Sequence, residues 1–198
     1  MCIRDRPGDS TKTIIDKVFQ GALYSLDLTH KTVQAEAVDK SADAILNARR
    51  VLIFGLGNSH AIAFDFYHKL LRLGIEAQAI SDSHIQAIVA ACVDSRDCIF
   101  AISQSGSSRS VIEAAQLAKE NKATVISLTD IEPSPLNRMS DIQLYTTSTE
   151  TQYRVIGLNS RLAQITLLDV LYTVMATKLP SAVAHFRSVE KALAPTKL

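Results

Sequence analysis

Five short runs of apolar residues alternate with amphipathic segments along the chain from Arg50 onward. These runs, bounded by polar turns, predict buried strands at 51–54, 76–80, 98–102, 123–128 and 142–146. The segments between and after them carry a helical period, which predicts helices at 59–73, 83–92, 107–120, 134–139, 155–178 and 182–193. Such alternation is typical of a parallel sheet covered on both faces. The predicted fold class is therefore α/β, a three-layer sandwich with a five-stranded parallel sheet flanked by helices.

The chain before the first strand has a helical pattern. Between residues 13 and 28, apolar side chains recur every four positions, at Ile14, Val18, Ala22 and Leu26. A second helix is predicted at 31–48. Residues 1–10 show no period and are interpreted as a non-native or disordered segment. We therefore expect linker and packing helices over 11–48 and the α/β domain over 49–198.

Composition excludes several classes of function. The 198 residues are enough for one substantial core, and the net charge of +1 gives no support for nucleic-acid binding by this segment itself. Cys2, Cys92 and Cys98 form no C-x-x-C pair, so neither a zinc site nor a disulfide framework is indicated. The chain contains no apolar span long enough for a bilayer and no signal peptide, so we expect a cytoplasmic protein. No metal is expected, because His30, His60, His68 and His185 lack spaced acidic or cysteine partners.

The third predicted strand runs into a turn rich in serine, residues 103–108, with the sequence Ser-Gln-Ser-Gly-Ser-Ser. The first N–H groups of a helix have no partner inside it, so a helix that starts at such a turn can bind an anion. No basic residue precedes Arg109, and the chain has no Walker lysine, which favours a neutral site for a single phosphate group. The alternative is a serine turn that only caps the helix.

An earlier turn repeats the same arrangement of strand, turn and helix. The first predicted strand is followed by Gly-Leu-Gly-Asn-Ser at 55–59. The third glycine of a dinucleotide motif would fall on His60, and no acidic residue closes the second strand, so a nicotinamide cofactor is not expected. We assign no other cofactor to the chain. In an open parallel sheet ligands bind beyond the carboxyl ends of the strands, where these two turns are predicted to lie.

Taken together, these motifs resemble the sugar isomerase (SIS) domain family from about residue 49 to 179. The resemblance rests on the two turns, on Lys-Leu-Leu-Arg-Leu-Gly at 69–74 and on Val-Ile-Ser-Leu-Thr at 125–129. Within the family, Asp-Ser-His-Ile-Gln at 82–86 together with the segment 159–172 is most similar to the effector domain of RpiR/MurR-type transcriptional regulators of carbohydrate metabolism.

The resemblance implies an SIS fold, which is flavodoxin- or Rossmann-like, with a phosphosugar-binding domain over 49–198. It also implies a sugar phosphate as the ligand and a homodimer or higher homo-oligomer. Regulators of this type bind DNA through an N-terminal helix-turn-helix domain, which this chain lacks. The alternative reading is an aldose–ketose phosphosugar isomerase.

The expected ligand contacts combine both turns with two further residues. Phosphate is assigned to Ser103, Ser105 and Ser108 with the amides of Gly106 and Ser107. The remaining expected contacts are Gly57, Asn58, Ser59, Gln104, His84 and Glu150.

Several of these contacts have an alternative role. Asn58 and Ser59 would hold sugar hydroxyls or cap a helix. His84 and Glu150 would be the catalytic residues of an isomerase, whereas a sensor has none and its Glu150 would only accept a hydrogen bond from a sugar hydroxyl. The alternatives are an ordinary surface histidine at a helix start for His84 and a solvated loop carboxylate for Glu150. Arg154 and Arg161 are charged residues that could reach an anionic sugar, or simply lie at a helix start.

Overall fold

A computed structural model describes residues 6–148 and 158–196. All five predicted strands are present, and they form one parallel sheet in the order β2-β1-β3-β4-β5. Their bounds are Arg50–Gly55 (β1), Ala77–Ile80 (β2), Asp97–Ile102 (β3), Thr124–Asp130 (β4) and Ile142–Thr146 (β5). The predicted α/β class and parallel sheet are confirmed.

The helices also follow the predicted pattern, but the first ends four residues later than the pattern at 13–28 indicates, and the second starts later than predicted. Their bounds are Thr11–Thr32 (α1), Ala35–Asn47 (α2), Asn58–Arg72 (α3), Ser83–Ala91 (α4), Arg109–Glu120 (α5), Pro135–Met139 (α6), Leu158–Lys178 (α7) and Ala182–Leu193 (α8), followed by a 3-10 turn at Ala194–Thr196. The second helix was predicted from residue 31, but α1 continues to Thr32. Val33 and Gln34 are extended, and the Val33 N–H donates to the Thr29 carbonyl, which ends α1 and delays the start of α2.

Alternate residues of each central strand pack on opposite faces of the sheet, as the two-residue period requires. On one face, Val51 and Ile53 join a buried cluster with α2, α3, α7 and α8. On the other, Leu52 and Phe54 pack with residues of α4, α5 and α6. The helix that follows β1 therefore lies on one face and the helix that follows β3 lies on the other. This divergence opens a crevice beyond the carboxyl ends of the two strands.

The two N-terminal helices, α1 and α2, pack against the α/β domain. The Thr29 hydroxyl donates to the Thr147 carbonyl, and the Thr147 N–H donates back to the Thr29 hydroxyl oxygen, both at 3.0 Å. Lys178 at the end of α7 contacts Asp39 and Asp43 of α2, both at 2.9 Å. These contacts tie α1 to the end of β5 and α2 to α7.

The C-terminal helices complete the layer on the first face. Leu167, Leu168, Leu171 and Met175 of α7 are buried against the sheet. Within residues 6–148 and 158–196, no single helix is long and apolar enough to cross a bilayer; α7 and α8 satisfy such a criterion only when joined across a bend of 111°.

Candidate functional site

The two glycine- and serine-containing turns lie side by side in the structure. β1 and β3 are hydrogen-bonded neighbours, with Gly55 opposite Ile102 at their carboxyl ends. Beyond these ends is an open cavity of about 550 Å³. The described residues that line it are Leu56, Asn58, Ser59, Ser103, Gln104, Ser105, Ser108, Asp130 and Glu132. The two turns therefore face the same cavity, and the protein's own side chains do not fill it.

Among the described residues, the start of α5 lacks a side-chain cap. Ser108 occupies the N-cap position, but within the described residues no side chain caps this helix. The Ser108 hydroxyl lies instead 3.1 Å from the Ser103 hydroxyl. The first N–H groups of α5 therefore lack the side-chain acceptor that a capping serine would supply. This arrangement favours the anion-binding interpretation of the turn over the capping alternative.

Gly106 shapes the turn without facing the cavity. Its φ is +58°, and an added Cβ would lie 2.1 Å from the Ser134 hydroxyl oxygen. Its N–H donates to the Ser103 carbonyl at 3.0 Å, and its carbonyl accepts from the Leu136 N–H at 3.1 Å. The turn thus needs a glycine here for both conformation and space. The Gly106 amide, expected to bind phosphate, already has an acceptor inside the turn.

Ser107 is also engaged within the turn. Its N–H donates to the Ser105 hydroxyl oxygen at 3.3 Å, and its own hydroxyl donates to the Ser105 carbonyl at 3.2 Å. Ser107 is exposed and is not among the residues that line the cavity. Among the five groups assigned to phosphate from sequence, the structure places the side chains of Ser103, Ser105 and Ser108 at the cavity.

The first turn brings Asn58 and Ser59 to the cavity at the start of α3. The N-cap is Gly57, whose φ is +53°, so Asn58 and Ser59 are the first helical residues rather than caps. Gly57 itself is exposed and does not line the cavity. Gly55 allows the strand to pass close to α3, since an added Cβ would lie 2.7 Å from the Ser59 carbonyl oxygen.

Gln104 lies at the cavity, but its side-chain amide is used by the protein. Its Oε1 accepts from Gln164 Nε2 at 2.7 Å. Its Nε2 donates to Asp130 Oδ2 at 2.9 Å and to the Ser148 hydroxyl oxygen at 3.3 Å. Gln104 therefore joins the cavity to α7 and to the end of β5. Its side chain is better placed to position neighbours than to contact a ligand.

Asp130 and Glu132 are site residues that the sequence reasoning missed. Asp130 ends β4 and Glu132 follows it in the next loop, so both lie at the same edge of the sheet as the serine turn. Burial raises the pKa of the Asp130 carboxyl, and the nearby charge of Glu132 raises it further, while backbone N–H groups lower it. The available signal was a carboxylate two residues after the end of the strand predicted at 123–128.

The remaining predicted residues lie elsewhere. His84 is exposed in the first turn of α4 and does not line the cavity of a single chain. Glu150 and Arg154 lie outside the described residues. Arg161 belongs to α7 and is not among the residues that line the cavity. In the described part of the chain, no group of three or more metal-ligating side chains is found.

The chain is similar to helix-turn-helix (HTH) regulators of several bacteria. It is 33% identical over 189 residues to an uncharacterized HTH-type transcriptional regulator of Thermotoga maritima, covering 96% of this chain and 68% of that protein. It is 33% identical over 190 residues to HexR of Pseudomonas aeruginosa, covering 96% and 66%. It is 29% identical to RpiR of Escherichia coli K12, covering 85% and 57%. The chain thus spans about three fifths to two thirds of the length of these relatives.

A solved structure has the same fold over nearly the whole chain. The NanR protein of Vibrio vulnificus complexed with ManNAc-6P matches with a TM-score of 0.88 and 28% identity, covering 96% of this chain and 71% of NanR. A family model for the SIS domain matches residues 44–174. The chain therefore belongs to the SIS domain family, and its relatives are HTH-type transcriptional regulators of the RpiR and HexR type.

Proposed function

We propose that this chain is the phosphosugar-sensing effector domain of an RpiR/HexR-type transcriptional regulator of carbohydrate metabolism. The observation that carries the proposal is the cavity beyond β1 and β3, where serine hydroxyls meet the uncapped start of α5. NanR complexed with ManNAc-6P supports a ligand of the same class. We assign DNA binding to an HTH domain outside this chain, and we expect the regulator to act in the cytoplasm.

The polar groups of the cavity suit a phosphate monoester. Hydroxyls of Ser103, Ser105 and Ser108 can donate to phosphate oxygens, and the first N–H groups of α5 add donors at the positive end of the helix dipole. Hydrogen bonds to a charged group are stronger than those between neutral groups, so several hydroxyls can replace a lysine. The volume of about 550 Å³ lies within the range of small-molecule pockets, roughly 300–1,000 Å³. The remaining space would hold the sugar.

A chain of contacts links the cavity to the linker helix. Gln104 Nε2 at the cavity donates to the Ser148 hydroxyl, and the adjacent Thr147 forms two hydrogen bonds with Thr29 of α1. A ligand that moved Gln104 or the end of β5 would therefore act on α1. A ligand shifts the equilibrium between two conformations of the regulator only if it binds them with different affinity. We propose this route as the connection to the DNA-binding domain.

An aldose–ketose phosphosugar isomerase remains the alternative for the same cavity. Its catalytic residues would be Glu150 and His84, but His84 lies outside the cavity of a single chain. The relatives are transcriptional regulators, which favours the sensor. Incubating the protein with a panel of sugar phosphates and analysing the products tests this choice. Turnover of any member would refute a function limited to sensing.

We also propose that a second copy of the chain covers the exposed face of α1. Ile15, Phe19 and Leu23 recur every four residues and are 52%, 67% and 65% exposed. Leu26, three residues after Leu23 on α1, lines an apolar groove of about 480 Å³ between α1, α2 and α7. Val170 of α7 lines the same groove. A two-fold arrangement would let the row of one copy cover the groove of the other.

Light scattering tests this arrangement. We expect the wild-type protein to have twice the mass of one chain, and Phe19→Asp to have the mass of a monomer. A monomeric wild type would contradict the proposal, and so would a dimeric Phe19→Asp variant.

Calorimetric titration tests the ligand class. Hexose 6-phosphates and pentose 5-phosphates are titrated into the protein, with inorganic phosphate and the unphosphorylated sugars as controls. We expect at least one sugar phosphate to bind more tightly than inorganic phosphate, and the free sugars to bind more weakly than their esters. Failure of every sugar phosphate to bind would refute the proposed function.

A further inference from the structure

The end of β4 forms an acidic wall of the cavity. Asp130 is the last residue of β4, and Glu132 follows two residues later. Both line the cavity together with the serine turn. Among the described residues that line the cavity, none is a lysine, an arginine or a histidine. The charged side chains that these residues bring to the ligand are therefore both carboxylates.

Gln104 and Gln164 hold the Asp130 carboxylate in place. Asp130 Oδ2 accepts from Gln104 Nε2 at 2.9 Å, and Gln104 Oε1 accepts from Gln164 Nε2 at 2.7 Å. Gln164 is only 2% exposed, so this support is anchored inside the protein. The backbone adds a further bond, from the Asp130 N–H to the Gln104 carbonyl at 2.9 Å. The carboxylate is thus held by a partly buried network that ends at the buried Gln164.

The Asp130 carboxylate is partly removed from water, and no counter-ion for it lies among the described residues. Asp130 is partly buried, and within residues 6–148 and 158–196 it forms no ion pair. The donors that reach it are neutral, from the Gln104 amide and from nearby backbone N–H groups. A carboxylate in this state is stabilised by further hydrogen-bond donors and destabilised by a second anion. The cavity therefore presents donors at the serine turn and acceptors at the end of β4.

We propose that Asp130, assisted by Glu132, selects the ligand by the charge of its non-phosphate part. The favoured class is sugar monophosphates whose other groups are hydroxyls or an ammonium, which donate hydrogen bonds to the carboxylates. The disfavoured class is sugar-acid phosphates and sugar bisphosphates, whose second anion would approach Asp130. This inference rests on the proposed function, since it concerns the same cavity. It assigns specificity to two residues that do not bind the phosphate.

Matched ligand pairs test the selection by calorimetric titration at one ionic strength. Glucose 6-phosphate is compared with 6-phosphogluconate, and fructose 6-phosphate with fructose 1,6-bisphosphate; glucosamine 6-phosphate tests the preference for an ammonium. We expect the wild type to bind the ligand without the second anion at least tenfold more tightly, since a nearby like charge changes such equilibria by about tenfold or more. The selectivity ratio is the Kd of the ligand with the second anion divided by the Kd of the ligand without it. Asp130→Asn keeps an acceptor for Gln104, and in this variant the ratio is expected to fall about tenfold.

Control variants show whether a change in selectivity comes from the carboxylates at the cavity or only from the net charge of the protein. Glu120→Gln removes one negative charge from the exposed end of α5, away from the cavity, and should leave the ratio unchanged. Glu132→Gln alters an exposed side chain and should lower the ratio by a smaller factor than Asp130→Asn. If Asp130→Asn does not fold, which circular dichroism would reveal, the Glu132→Gln variant still tests the proposed selection.

The outcomes distinguish this inference from the proposed function. If sugar phosphates bind but the wild type prefers the acid or the bisphosphate, the inference is wrong and the proposed function stands. The same holds if folded Asp130→Asn and Glu132→Gln keep the wild-type ratio. If no sugar phosphate binds to the wild type, both fail together.

Discussion

Replacing Ser105 and Ser108 together with alanine removes two hydroxyl donors from the proposed phosphate site and leaves the backbone of the turn in place. A hydrogen bond to a charged group contributes about 1.5–3 kcal/mol. In the free protein these hydroxyls have partners of their own, Ser103 for Ser108 at 3.1 Å and the Ser107 N–H for Ser105 at 3.3 Å. The net loss should therefore lie at the lower end, about 3 kcal/mol for both.

A loss of about 3 kcal/mol corresponds to a Kd that is roughly 150-fold weaker. Calorimetric titration with the tightest-binding sugar phosphate measures this change, and thermal unfolding checks that the variant is folded. Ser107→Ala is the matched control, because the Ser107 hydroxyl donates to the Ser105 carbonyl and Ser107 does not line the cavity. We expect this control to change the Kd less than about threefold.

Two results would refute this placement of the phosphate. One is a double variant that is folded and binds within about threefold of the wild type. The other is a Ser107→Ala variant that weakens binding as much as the double variant does, since the anion would then contact the exposed side of the turn.

Three further substitutions test the fold, one in the serine turn and two away from the cavity. Gly106→Ala should destabilise the protein by about 2 kcal/mol or more in urea unfolding, because φ is +58° and the added Cβ would lie 2.1 Å from the Ser134 hydroxyl oxygen. Thr29→Val removes both hydrogen bonds to Thr147, so the free energy of unfolding should fall by about 1–2 kcal/mol, and ligand should no longer protect α1 from hydrogen exchange. Burial raises the pKa of the Asp97 carboxyl, but hydrogen bonds from Arg49 and Arg50 outweigh this effect and hold that pKa below its usual value. Its contribution to stability is therefore complete at neutral pH and lost below about pH 4, so Asp97→Asn should be less stable at pH 7 and respond less to acid.

Each of these substitutions has an outcome that would contradict the reasoning. Wild-type stability of Gly106→Ala would mean that the turn can relax away from α6. Undiminished protection of α1 in Thr29→Val would exclude the proposed route from the cavity to the linker helix. An unchanged acid dependence in Asp97→Asn would show that other carboxylates account for it; Glu120→Gln, on an exposed helix end, serves as the control.

The pattern of elements could be predicted because it depends on near neighbours in sequence. Apolar runs of four to six residues between polar turns identify strands. The helical period identifies helices such as the one predicted at 83–92, and the structure shows Asp82 as its N-cap, whose carboxylate accepts from the Ile85 N–H at 2.9 Å. The error at residue 31 has the same origin. The helical period continues through Thr32, and only the extended backbone of Val33 and Gln34 separates α1 from α2.

The site could be predicted in part. The serine turn and the earlier glycine turn both face the cavity, since each follows a central strand. Asp130 was missed because its approach to Gln104 depends on β4 lying beside β3, and neighbouring strands are not evident from sequence. The amides of Gly106 and Ser107 remain candidate contacts from sequence, although both have acceptors within the turn.

The sequence by itself determined the order of strands and helices and the donor-rich turn at the start of a helix, because these depend on contacts within a few residues. Only the tertiary structure decided what surrounds that turn. The bond from Gln164 to Gln104 spans 60 residues, and the bonds between Thr29 and Thr147 span 118. Such contacts depend on which strands are adjacent and how helices pack on them, so the acidic wall and the link to α1 exist only in the folded chain.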